Sequence, residues 1–387
     1  MSEIKVNSIK GVGASAAAIT VNNSDGTCTA NITNNLSNRR ININGAMTVS
    51  QRSSSFAAVA NDNYTLDRYK HKVGNSSAAF TVTKSTTSPD GFSNSLKYDC
   101  TTADTSIAAN ESVMLQHIIE GQDLQHLNYG TSAAKAMTIS FHVRSNVTGN
   151  YAFFCYQRDG GRTFSKLYTI NSADTWEKKT ITIPADTSGQ IDNDNGGSLE
   201  LHWFLVAGTN SSGGTAYDTA WGSYTENKTA GGHNVNIGSN TSNEWYITGV
   251  QLEVNSSGVA TDFEHRSFGQ ELYLCQRYFE LLIWEGYGFY GYQPNANSVE
   301  FQIRWNVEKR ANPSITLPAT GTGSGQIGPT NTAGSNMTGG SLDGPFTIKQ
   351  TTARITGGSW SGGASGAPCA LYSGGSPGAI IKISSEL

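Results

Sequence analysis

The sequence predicts an all-β protein: a jelly-roll β-sandwich followed by a short helix and a small C-terminal β-module, with an extended segment in front. Three observations predict it. Charged residues make up only 14% of the 387 while glycine alone supplies 43, a mix that suits strands joined by turns. Apolar residues recur with a period of two over much of the chain. Turn signals such as Ser88-Pro89-Asp90-Gly91, Asp159-Gly160-Gly161 and Asn193 to Gly197 punctuate those runs. Aromatic residues, at 10%, and the recurring strand-like runs argue against disorder.

Residues 1–38 are small and polar, with short apolar dashes such as Ile4, Val6 and Ile9, then Ile19 and Val21. So few apolar groups cannot bury a core, so this segment is disordered or borrows surface from other chains. Residues 39–268 read as the sandwich. In Thr138 to Arg144 the apolar Ile139, Phe141 and Val143 fall on one face and Ser140, His142 and Arg144 on the other, as in a half-buried antiparallel strand. Ser198 to Val206 repeats this with Leu199, Leu201, Trp203 and Leu205, but Phe204 and Val206 make its second face partly apolar, so that face also meets something.

Phe268 to Ile283 carries Leu272, Cys275, Tyr278, Phe279 and Leu282 at spacings of three or four, which predicts a helix over that range or one stopping near Tyr278. Ser298 to Glu308 alternates without a break, with Val299, Phe301, Ile303, Trp305 and Val307 on one side. A Gly/Thr/Ser/Asn tract over 318–344 and strand-like runs at 346–349, 353–356 and 379–383 follow. Residues 269–387 therefore read as a β-rich C-terminal domain with long loops.

Several function classes fit poorly. Net charge is −4 with an isoelectric point near 6.0 and no Lys/Arg block, which disfavours nucleic acid as a partner. Cys28, Cys100, Cys155, Cys275 and Cys369 are odd in number, far apart and lack a C-x-x-C pair, so neither a disulfide framework nor a zinc site is expected. Cys155 and Cys275 sit in apolar surroundings and read as buried free thiols. Met1 to Gly13 lacks a basic flank and apolar core of a signal peptide, and no run approaches the ~20 apolar residues of a membrane span. Membrane insertion is not expected.

Candidate chemistry is sparse, and no catalytic residue, metal ligand or cofactor is assigned. Gly374-Gly375-Ser376-Pro377-Gly378 matches the nucleophile-elbow pattern, but a strand follows where a helix is required. His117 and His126 flank Glu120 at a spacing that does not share a helix face, and read as hydrogen-bonded structural histidines. Asp192 to Gly197 begins like a calcium loop, yet Trp203 stands where a bidentate glutamate belongs. An Asn/Asp/Gly turn is the plain reading, with a loop-bound calcium left open. No acidic pair stands out for glycoside hydrolysis.

Aromatic residues carry more. Trp284, Tyr287, Phe289, Tyr290 and Tyr292 fall within nine residues between glycines, in a loop or hairpin too aromatic to be simply solvated. Either the rings pack into a core or subunit contact, or they stack on receptor sugars while polar neighbours bond the hydroxyls. Trp221, near Gly222 and Tyr224, is a second candidate of the same kind.

Ordered strings add a resemblance. GVQLEVNSSGVATDFEHR (249–266) is followed at once by ELYLCQRYFE (271–280), and INGAMTVSQR (43–52), YTLDRYK (64–70), LQHIIEGQDLQHL (115–127), TISFHVRSNVTGNYAFF (138–154), TWEKKTITIPADTSG (175–189) and NDNGGSLELHWFLVAG (193–208) precede them. Over about residues 39–310 the chain resembles bacteriophage tail-fibre or receptor-binding proteins of the marine phage type, with a domain like carbohydrate-binding modules. The resemblance implies an elongated homotrimer on the virion tail, docked to phage tail proteins through residues 1–38. It implies non-catalytic adsorption to a bacterial surface glycan or glycoprotein, and synthesis in the host cytoplasm with release by lysis. Two alternatives stand beside it: a structural virion component such as a connector or head decoration, and a polysaccharide-degrading tailspike. The latter needs a long β-helix for which the chain has no room after its sandwich.

Overall fold

Alternation along the middle of the chain closes two antiparallel six-stranded sheets over one apolar core. The structure, a computed structural model, describes residues 7–12, 18–21, 24, 28–30, 38–284, 286–295, 298–316, 327–331, 337–338, 341–343, 347–356, 359–360, 366, 368–373 and 379–387. At the N-terminus, β1 (Ser8–Ile9), β2 (Ile19–Val21) and β3 (Cys28–Ala30) form a small antiparallel sheet in which Ile9 is exposed. That sheet has no buried apolar residue among those described, in keeping with its composition.

The sandwich comprises β4 (Ser55–Phe56), β5 (Tyr69–Gly74), β6 (Ala79–Ser85), β7 (Ser95–Thr102), β8 (Ser112–Glu120), β9 (Met137–Ser145), β10 (Gly149–Gln157), β11 (Arg162–Ile170), β12 (Glu177–Ile183), β13 (Gly197–Ala207), β14 (Gly222–Ser223) and β15 (Glu244–Val254). The first sheet runs β14-β11-β10-β13-β8-β5 and the second β12-β9-β15-β7-β6-β4. The chain crosses repeatedly between the two, as a jelly roll does. Inward residues of the two sheets interlock: Phe141 of the second sheet meets Trp203 at 5.8 Å, Tyr168 at 5.1 Å and Phe153 at 6.4 Å of the first. Cys155 lies fully buried here as a free thiol, and Cys275 is likewise buried and free.

Strand β13 behaves as its sequence predicts, with one correction. Leu199, Leu201, Trp203 and Leu205 enter the main core, and Phe204 packs on the opposite face with Ala152, Phe154, Ala207 and Ala230. Val206 does not join Phe204's cluster, because a bulge between Phe204 and Val206 turns it inward to the main core. Just beyond, Gly208 is required by close approach: a Cβ there would stand 2.2 Å from the carbonyl oxygen of Ala108. The segment after it folds back through the short α1 (Thr209–Ser212) over the outside of the first sheet.

Of the two helix ends the sequence allows, the structure takes the nearer, close to Tyr278. A helix, α2 (Phe268–Gln276), begins at a capping box between Ser267 and Gln270, but Phe279–Trp284 is strand β16. The apolar run there satisfies its backbone by pairing with β26 (Ala379–Ser384). The C-terminal module also holds β17 (Gly286–Asn295), β18 (Ser298–Arg304), β19 (Ser314–Thr316), β20 (Ile327–Asn331), β21 (Met337–Thr338), β22 (Ser341–Asp343), β23 (Gln350–Thr356), β24 (Ser359–Trp360) and β25 (Pro368–Ser373). Its sheets run β16-β26-β19 and β20-β25-β17-β18-β23-β22, with β21 and β24 paired apart. Val299, Phe301, Ile303 and Trp305 pack together with Cys369, Ile381 and Ile383, and Val307 is buried too, although β18 itself ends at Arg304.

Charged groups fasten this module to the sandwich. Arg277 forms a two-pronged pair with Glu120, each bond 2.8 Å, and buried Arg40 pairs with Glu271. Glu386 accepts from Arg52 at 3.0 Å and also pairs with Arg68, whose guanidinium lies 3.5 Å from the Tyr278 ring centroid. Asp192 to Gly197 is a turn that joins this contact: Gly196 N–H donates to Asp194 at 2.8 Å, and Arg310 Nη1 donates to the Asn195 carbonyl at 2.8 Å.

Candidate functional site

The outer face of the first sheet forms a groove of about 540 Å³. Strand alternation alone sets its floor: while Leu115, Leu201 and Phe153 point inward, their neighbours point out. Register then aligns those neighbours across strands. Lys70 on β5 stands opposite Gln116 on β8, Gln116 opposite His202 on β13, and His202 opposite Phe154 on β10. In adjoining rows Met114 faces Phe204, and Glu200 faces Tyr156.

The segment from 209 to 230 makes one wall, contributing Ser211, Tyr224, Glu226 and Thr229. It is fixed by backbone bonds, from Asn210 N–H to Ala109 O at 2.8 Å, Ala230 N–H to Ser211 O at 2.9 Å and Tyr224 N–H to Gly161 O at 3.0 Å. Ala230 closes an apolar cluster with Phe154 and Phe204, against which Met114 and Tyr156 also pack. The Tyr156 and Tyr224 rings meet at 5.6 Å, and Tyr224 is 52% exposed. The wall therefore presents an aromatic surface to solvent without loosening the sheet.

A polar network runs beside these rings. Glu200 accepts from His202 Nε2–H at 2.8 Å, from Gln116 Nε2 at 2.8 Å and pairs with Arg158 Nη1 at 3.2 Å. Burial pushes the Glu200 carboxyl up, but the bond from His202, its charge, and those from Arg158 and Gln116 outweigh it and hold the pKa below the usual value. Glu200 is thus an ionised acceptor, a poor general acid. Gln116 Oε1 is buried and has no partner, an acceptor left over after its amide is committed to Glu200. At the far edge Lys72 Nζ lies 2.7 Å and Lys70 Nζ 3.6 Å from Asp62. Ring faces beside ionised acceptors and amide groups are the chemistry that holds a sugar, with its apolar face and its rim of hydroxyls. Among the described residues no group of three or more His, Cys, Asp and Glu could hold a metal ion.

The residues singled out from sequence lie elsewhere. Trp221 is buried: its Nε1–H donates to the Pro184 carbonyl at 2.7 Å, and its ring packs on Tyr129 and Phe164. A ring so enclosed belongs to the sandwich core and offers no face to a ligand. The aromatic stretch, expected as a loop or hairpin, is strand: Trp284 ends β16 and the other four residues lie in β17, paired antiparallel to the next strand β18 and to β25. Phe289 packs against the C-terminal core, while Tyr290 is 76% and Tyr292 49% exposed, the latter donating to Glu300 at 2.6 Å. The side chains of Trp284 and Tyr287 lie outside the described residues, as does Gly374 to Gly378. His117 is buried, its ring 5.0 Å from Tyr69, and burial holds its pKa well below the ordinary histidine value.

Sequence reasoning missed Gln116, Phe154, Tyr156, Arg158, Glu200, His202 and Tyr224. The signal was present in the second apolar face of β13 and in Tyr151 to Tyr156, where neither face is polar. Such two-sided strands have something covering their outer face.

No protein-family model and no curated protein matches the chain. Solved structures similar to it include the enzymatically active domain of Bacteriophage CBA120 tailspike protein 4, at 10% identity and TM-score 0.28, covering 51% of this chain and 21% of that one. Another is a CBM4 carbohydrate-binding module, at 11% identity and TM-score 0.29, covering 55% of this chain and 98% of that one. A third is the family 11 carbohydrate-binding module of the Clostridium thermocellum cellulosomal cellulase Lic26A-Cel5E, at 13% identity and TM-score 0.27, covering 56% and 100%. The chain spans about a fifth of the tailspike domain. At TM-scores of this size the likenesses decide nothing, and the fold stands on the strand pairing described above.

Proposed function

We propose that this chain is a non-catalytic receptor-binding protein of a bacteriophage tail that adsorbs to a bacterial surface glycan through the groove on its first sheet. The observation that carries the glycan part is the juxtaposition of Phe154, Tyr156 and the exposed Tyr224 with Gln116, Glu200 and His202 in one groove. The ordered strings between residues 39 and 310 support the tail assignment. Homotrimer formation and docking through residues 1–38 belong to the same proposal, and light scattering then reads three times 41.2 kDa.

The test is binding of the whole chain to an array of bacterial surface glycans, beside the Tyr156→Ala/Tyr224→Ala double variant. Each ring contributes on the order of 1 kcal/mol, and linked sites multiply the loss, so at least one glycan is expected to bind and to weaken about tenfold or more in the variant. Unchanged binding in a folded variant rejects the groove. A second reading rests on the exposure of Tyr290 and Tyr292, which puts a further contact on β17; Tyr290→Ala/Tyr292→Ala reducing adsorption on an intact fold would favour it.

A further inference from the structure

Charges in the groove are arranged to cancel. Lys70, Lys72 and Arg158 face three carboxylates, Asp62, Glu200 and Glu226. Asp62 engages both lysines, at 2.7 Å and 3.6 Å, and Glu200 engages Arg158 at 3.2 Å. Burial pushes the Asp62 carboxyl up, but Lys72 and then Lys70 more than offset this and keep it ionised. Glu226 stands exposed on the rim, outside any ion pair of the described residues. Each of these cations therefore already sits beside a carboxylate, Asp62 serving both lysines, and Glu226 brings the lining to three carboxylates against three cations.

An incoming carboxylate or sulfate would have to compete with Asp62 or Glu200 for cations they already hold, and would lie near Glu200 or Glu226. It would lose hydration without a net gain in ion pairs, which costs free energy. A hydroxyl meets better conditions, since Glu200 keeps unused lone pairs, the lysines keep unused N–H groups, and Gln116 Oε1 lacks a donor. The row Lys70, Gln116, His202, Phe154 crosses three inter-strand gaps. At ~4.8 Å each this is about 14 Å, longer than one sugar ring. Tyr156, on the same strand as Phe154, and Tyr224 in the wall flank the end of that row.

Resting on the glycan-binding reading, we infer that the groove takes an uncharged oligosaccharide laid across the strands and rejects acidic sugars. The class is thus neutral hexose or N-acetylhexosamine chains, not uronate or sulfated polymers.

The experiment is titration of the whole chain with a panel of neutral oligosaccharides and with the same panel oxidised at C6 to uronates, at low and high salt. The expected result is that neutral members bind, that oxidation weakens them about tenfold or more, and that salt has little effect on the neutral ones. Equal or tighter binding of the oxidised panel, fading as salt rises, overturns the inference while leaving glycan binding intact. Binding by neither panel overturns both. Asp62→Asn frees Lys70 and Lys72, so it should narrow the gap between the two panels by several fold; no change in that ratio, in a variant that still binds, also counts against the charge argument.

Discussion

Trp221 and Tyr224 are three residues apart, and an extended backbone places residues separated by an odd number on opposite faces. One ring enters the core and the other stands in the groove wall. Trp221→Ala is expected to cost about 3–5 kcal/mol and lower the melting temperature markedly. Tyr224→Ala should leave melting nearly unchanged and weaken glycan binding by ~1 kcal/mol. Thermal melting and binding measured on both variants check the pair. Aromatic type was legible in the sequence but its direction was not, because parity is set by where β14 joins β11. Two other residues tie stability to pH. His233 Nδ1 accepts from Ala152 N–H at 3.1 Å and its Nε2–H donates to Val235 O at 3.0 Å, which fixes a neutral ring. Burial pushes both His233 and His71 down to about 4. The unfolded chain binds these protons near pH 6.5 and the folded one does not until about 4, so their contribution is full above 6.5 and lost as pH falls through that window. Melting temperature should drop between about pH 6.5 and pH 4, and His233→Gln should flatten that slope.

Among the elements, α2 shows how a helix is both begun and cut short. Ser267 Oγ accepts from Gln270 N–H at 3.3 Å while Gln270 Oε1 accepts from Ser267 N–H at 3.0 Å, satisfying two donors that a helix start leaves free. Ser267→Ala is expected to cost ~1 kcal/mol, read as a lower denaturant midpoint with an unchanged slope. Nothing local ends the helix where it ends. Leu281, Leu282 and Ile283 suit either state, and partner strand β26, about a hundred residues on, captures them. Strand Ser298–Arg304 was legible because strict alternation with one buried face allows one arrangement. The stretch 284–292 was less so, since glycines between aromatics read as a loop or hairpin until β25 and β18 supply both flanking ladders.

At the scale of the whole molecule, Glu386 holds the last residues of the described chain against the sandwich. Its partner Arg68 is fully buried, and the Leu387 backbone oxygen accepts from Tyr64 Oη–H at 2.6 Å. Glu386→Ala strands a buried guanidinium and is expected to cost about 3–5 kcal/mol. Calorimetry should show one transition for the unaltered chain, and a lower or split one for the variant, because contacts at this junction couple the two modules. The all-β class, the inward residues of β9 and β13 read from their alternation, and the buried thiols were settled by the sequence alone, since composition and two-residue periodicity act locally. The groove was decided only in the tertiary structure. Gln116, Phe154 and His202 come from strands far apart in sequence, and each looks like an ordinary outward residue until register sets them in one row. Function of this kind depends on which strands become neighbours, and that choice is made by the burial of the opposite face.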